Sequence, residues 1–170
     1  KHVKGMFNNA TEVIRFIDRK DEYISLLDDL TEIDGSYAEL GHAAYEIVDV
    51  LDELVAKRDV LLPFLRGMAR LGMPIDGEQL LCEYGKVLQL AEHGDDILDF
   101  FRDYYGGSKV KPEDSGIVIS EKSSQEREAS SFVQSMLFIY HADAVISIAE
   151  RKDDVIPVMN ALKKFYDFKF

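Results

Sequence analysis

Tryptophan is absent from this chain of 170 residues, and there is a single cysteine, Cys82. One cysteine excludes an intrachain disulfide and fits a reducing compartment, so the expected location is cytoplasmic. Long apolar runs are missing too. None approaches the roughly 20 residues that span a bilayer, and no membrane insertion is expected. Positive charge is scarce: 20 Lys and Arg face 32 Asp and Glu, for a net charge of −12. Affinity for nucleic acid comes mainly from Lys and Arg neutralising phosphates, so direct nucleic-acid binding is not expected. The glycine patterns that cradle phosphates, the G-x-S-x-G nucleophile turn and the H-E-x-x-H zinc motif are all lacking. No internal repeat of fixed period and no long heptad run stands out.

What is present is helical periodicity. Tyr37, Leu40, Ala44, Ile47, Leu51 and Leu54 follow one another in steps of three and four, preceded by the capping-box pair Ser36 and Glu39. This predicts a helix from Ser36 to about Arg58, with Glu39, His42, Glu46, Asp49 and Glu53 on its wet face. An earlier helix is expected from about Asn8 to Leu30, with Val13, Phe16, Ile17, Ile24, Leu27 and Leu30 as its apolar side. A shorter helix capped by Asp59 holds Pro63 near its first turn and stops at Gly72 and Pro74. Asp76 and Gln79 form a second capping box. It opens a run through Tyr84, Val87, Ala91, Leu98, Phe101 and Tyr105, in which Gly94 marks either a close helix approach or a break.

Residues 106–124 are rich in Gly, Ser, Lys and Pro and read as a long mobile loop or hinge. Ser123 and Glu126 then cap a helix through Phe132, Val133, Met136, Leu137, Tyr140, Ala144, Val145 and Ile148. A last helix starts at Asp153 or Asp154, with Pro157 in its first turn. The fold class expected is all-α: one domain, a single antiparallel bundle of five or six helices with one long loop.

The carboxylates form ladders: Glu39, Glu46, Asp49 and Glu53 on one helix, and Glu92, Asp96, Asp99 and Asp103 on another. Hard cations want several oxygen ligands, so Glu46, Asp49, Asp96 and Asp99 define an alternative reading as a metal-dependent phosphohydrolase. The ladders lie away from the apolar stripes, however, where a catalytic metal would not sit. Glu39-x-x-His42 matches one half of a di-iron motif, but Leu90 before His93 and Phe138 before His141 remove the second half. Cys82 reads as a small core residue. Lys57, Arg58, Arg66 and Arg70 gather positive charge on one helix and its approach. Neither a catalytic set nor a cofactor is expected.

The function expected is a non-enzymatic acidic helical module that binds another protein, possibly a basic one, as adaptor, inhibitor or regulator. Its contact residues would be Glu92, Asp96, Asp99 and Asp103 with Tyr104 and Tyr105, and Arg66 and Arg70. Aromatics and arginine dominate interface energetics. A further alternative is a nucleic-acid mimic whose carboxylates imitate phosphates. Oligomeric state is not encoded in any of these patterns.

Overall fold

The computed structural model describes residues 10–44, 46–106 and 135–166, with side chains except at 105–106 and 163–166. The described residues are helical, without strand. The helices are more numerous and shorter than the apolar stripes imply. The expected helices are divided at Arg19, between His42 and Val48, at Glu83, at His93 and at His141, and four of the one-residue breaks, at Arg19, Lys57, His93 and Arg151, are alike. Each of these four follows a helix of 9 residues: α1 (Ala10–Asp18), α4 (Val48–Ala56), α7 (Tyr84–Glu92) and α9 (Ala142–Glu150). Each precedes a longer helix: α2 (Lys20–Ile33), α5 (Arg58–Arg70), α8 (Gly94–Gly106) and α10 (Lys152–Tyr166). The four break residues share one conformation, φ −105 to −118 and ψ 14 to 26, in the bridge region open to any side chain. In every case the break carbonyl accepts the N–H four residues on, from Tyr23, Leu61, Ile97 and Val155, and so starts the long helix. The turn is written three times as two basic residues and an aspartate: Arg19-Lys20-Asp21, Lys57-Arg58-Asp59 and Arg151-Lys152-Asp153. The variant is His93-Gly94-Asp95. An acidic residue there sits favourably in the first turn of the long helix.

Three units carry a short helical element ahead of this pair: the 3-10 turn Gly35–Tyr37 with α3 (Ala38–His42), α6 (Gly77–Cys82), and the helical stretch at 135–140. The described residues therefore form a row of similar units, spaced unequally along the sequence and so without a fixed period. The 9-residue helices pack in a row, α1 on α4 on α7 on α9. The long helices form a parallel row, α2 on α5 on α8 on α10, and each long helix also touches the 9-residue helix of the next unit. This nearest-neighbour stacking is the organisation of α-solenoids. Phe138 reaches further: it stacks on Phe64 and packs tilted against Phe101, with ring centroids 6.5 and 5.8 Å away.

Local chemistry explains the ends of several elements. Asp76 and Gln79 form the expected capping box, through Gln79 N–H to Asp76 Oδ1 (2.8 Å) and Asp76 N–H to Gln79 Oε1 (3.2 Å). Gly72, at φ +76, lets Met73 N–H reach back to the Met68 carbonyl at 3.0 Å and closes α5. Ser36 does not cap its own helix. Asp34 accepts the Ser36 N–H at 2.8 Å, and the Ser36 hydroxyl accepts Gly77 N–H of the next unit at 3.0 Å. Pro63 and Pro157 lie at the sixth position of α5 and α10, beyond the first turn and on the exposed side.

Other corrections concern faces. Ile17 and Ile24 are exposed; Leu30 is buried as expected, and Tyr23 and Leu26 join it on the buried side. Between 135 and 150 the buried residues are Ser135, Phe138, Ile139, Ala142, Ile146 and Ala149, whereas Leu137, Tyr140 and Ile148 are exposed. Cys82 is exposed, not part of the core. The 106–124 segment beyond Gly106, the Ser123–Glu126 capping box and the side chains of the aromatic tail lie outside the described residues.

Candidate functional site

Most ion pairs among the described residues cross the junctions between units. At the first, Asp52 on α4 accepts from Tyr23 Oη at 2.5 Å, from Arg15 at 2.6 Å and from Arg19. Burial alone would push the Asp52 carboxyl up. The Tyr23 hydroxyl and the Arg15 and Arg19 guanidiniums outweigh it and hold the group below its ordinary range. Between long helices, Arg58 pairs with Asp29, and Lys152 approaches Asp99 at 3.5 Å and Asp103 at 3.9 Å. Counted from the break residue, Asp29 and Asp103 occupy the same position, as do Arg58 and Lys152. The break residues make a second set of pairs, Lys57 with Glu92 at 2.6 Å and His93 with Glu150 at 3.5 Å. Lys57 donates to Glu92 and lowers its pKa.

The junction of α5 with α8 is different. Gly94 stands where Lys20, Arg58 and Lys152 stand in their units, and Gly67 stands where Asp29 and Asp103 stand. Both halves of the ion pair are thus missing, and the helices are close. A Cβ on Gly94 would lie 3.3 Å from Phe64 Cδ2, and one on Gly67 2.5 Å from Leu98 Cδ1. Beside Gly94 a cleft of about 400 Å³ opens. Its floor is Phe64 and Ala91, and its walls are Val60, Pro63 and Leu98. His93 and four carboxylates, Asp59, Glu92, Asp95 and Asp96, surround it. A cleft lined by carboxylates beside Val60, Pro63, Phe64 and Leu98 suits a long side chain with an aliphatic stem and a cationic head.

The expected contact residues do not form one patch. Glu92 and Asp96 line the cleft. Asp99 accepts from Arg102 at 2.6 Å and shares Lys152 with Asp103. Tyr104 is partly buried and stacks on Phe100, with centroids 6.0 Å apart. The Tyr105 side chain lies outside the described residues. Arg66 approaches Asp29 at 3.9 Å, on the neighbouring junction, and Arg70 is exposed. The alternative metal set is also dispersed: Asp49 pairs with Arg15 at 2.7 Å, Glu46 is exposed in the turn before α4, and Asp96 and Asp99 are on α8. Among the described residues no three His, Cys, Asp or Glu side chains converge as metal ligands. Sequence reasoning missed Asp59, Val60, Pro63, Asp95 and Leu98. Gly94 was the signal available, since a glycine at the head of a helix marks close approach. Among the described residues no helix is long and apolar enough to cross a membrane. Comparison with family models, with curated proteins and with solved structures finds no match to this chain.

Proposed function

We propose that this chain is a non-enzymatic protein-binding module whose row of long helices receives a basic segment of another protein. The observation that supports this most directly is the cleft at Gly94, where Asp59, Glu92, Asp95 and Asp96 line the same space as Val60, Phe64 and Leu98. Solenoids offer continuous rows of side chains from successive units, which suits extended partners. Here the row adds Asp21, Glu22, Asp28 and Glu32 from α2 and Asp153 and Asp154 from α10, all exposed. A lysine or arginine of the partner entering the cleft supplies the cation that Gly94 replaces in the repeat. Carboxylates around the entry steer a basic partner towards it and speed association.

The test is titration with a fluorescent peptide of alternating arginine and leucine, alongside its glutamate–leucine counterpart, at low and high salt. The basic peptide should bind, and rising salt should slow its association as charge is screened. Asp95→Asn with Asp96→Asn should lower affinity by about tenfold, mostly through the association rate. Nuclear magnetic resonance shifts should centre on Val60, Gly94 and Leu98. Equal indifference to both peptides, or shifts elsewhere, would overturn the reading.

A further inference from the structure

The two ends of the row carry apolar residues at positions that are covered inside it. At the first end, Ile14 and Ile17 are more than half exposed and Ile24 nearly so. Counted from the break residue, Ile14 corresponds to Asp52, Leu88 and Ile146, and Ile17 to Val55, Ala91 and Ala149; Leu88, Ile146, Ala91 and Ala149 are buried, Val55 is partly buried, and Asp52 is the carboxylate of the first junction. Ile24 corresponds to Leu98, which faces the preceding unit through Gly67. At the other end, Val158 and Leu162 are more than half exposed, and Ile148 follows. Val158 corresponds to Leu26, Phe64 and Phe100, Leu162 to Leu30, Met68 and Tyr104, and Ile148 to Phe16, Leu54 and Leu90, all buried except Phe16 and Tyr104, which are partly buried. Phe64 faces the following unit through Gly94. One end is therefore the surface that an inner unit turns to its predecessor, and the other is the surface it turns to its successor.

The charges match in the same sense. Within the row, the break residue pairs with the last residue of the next unit's 9-residue helix, as in Lys57–Glu92 and His93–Glu150. At the open ends the corresponding residues are Arg151 and Asp18, both exposed. Among the described residues Arg151 pairs with Asp154 of its own helix, at 3.4 Å.

We infer that a second copy of this chain docks head to tail, its α1–α2 end covering the α9–α10 end of the first. The contact repeats the geometry of the inner junctions, with Ile14, Ile17 and Ile24 against Ile148, Val158 and Leu162, and with Arg151 opposite Asp18. This contact is independent of the cleft at Gly94. Because it joins two different surfaces, two copies do not satisfy it, and assemblies larger than a dimer grow with concentration.

Sedimentation velocity on the full 170-residue chain across a concentration series tests this. The mean mass should rise with concentration beyond that of a dimer. Ile17→Glu blocks one end and Leu162→Glu the other, at exposed positions where the fold does not depend on them, as circular dichroism will verify. Each variant alone should remain monomeric, and their equimolar mixture should form dimers and nothing larger, since each copy keeps one working end. Asp18→Arg and Arg151→Asp should each weaken assembly by about tenfold. A mixture of the two should recover it. A monomer at every concentration, or dimers persisting in either blocked variant alone, would overturn the inference.

Discussion

Asp52 collects donors from Arg15, Arg19 and Tyr23, so that one carboxylate ties α4 to the whole preceding unit. Its pKa is lowered in the folded protein. The stabilisation is therefore present above the unfolded carboxylate value, about 3.9, and is lost as pH falls through the folded value. Asp52→Asn should cost about 1–2 kcal/mol at neutral pH, the range for a charge-assisted hydrogen bond. In urea denaturation the gap between wild type and variant should start to shrink as pH drops below about 4 and should close only below the lower folded value, where both side chains are neutral. A gap that stays constant with pH would show that Asp52 acts through shape alone. This hub was not legible in the sequence. Asp52 falls between two stripe residues, Leu51 and Leu54, and only the stacking of units brings Arg15 and Arg19 to it.

Elements were legible where their signals are local. The Asp76–Gln79 box and the stop at Gly72 need only neighbouring residues, and both hold. Ser36 had an equally good local pattern, but its hydroxyl went to Gly77 in another unit. The face of the 135–150 segment was misjudged for a related reason. It is apolar on both sides, and burial fell to Ala142 and Ala149, whose small side chains allow close packing, in place of Leu137 and Tyr140. The repeat itself was hidden because the interval between the last two breaks is half as long again as the others, and because His93-Gly94 departs from the basic pair.

Two glycines in adjacent helices separate packing from propensity. A Cβ on Gly77 would lie 2.8 Å from the Ser36 carbonyl oxygen, a backbone atom that cannot swing away, whereas Gly85 has open space around it. Gly77→Ala should cost about 1–3 kcal/mol by forcing α6 from the preceding unit. Gly85→Ala should gain about 0.5 kcal/mol by restricting the unfolded chain. Thermal melts of the pair should move in opposite directions. A shift of the same sign in both would mean that the α6 junction is not close-packed.

Across the whole molecule, stability is a sum over units and the junctions between them, so that weakening one inner junction divides the row. Phe64 is the residue to remove. It lies under Gly94 at the α5–α8 junction and stacks on Phe138, joining the second, third and fourth units. Phe64→Ala should cost about 3–5 kcal/mol, the range for a buried aromatic. The loss should be uneven. In native-state hydrogen exchange, α8 and α9 should open together while α2 and α4, held by Asp52 and by the Tyr23, Val48 and Leu51 cluster, keep more of their protection. Leu162→Ala, at the exposed end, should cost less than about 0.5 kcal/mol in dilute solution, and its effect should stay within α10. If Phe64→Ala instead lowered protection evenly from α1 to α10, the units would be folding as one indivisible core, and nearest-neighbour stacking would describe the geometry of the chain but not its energetics.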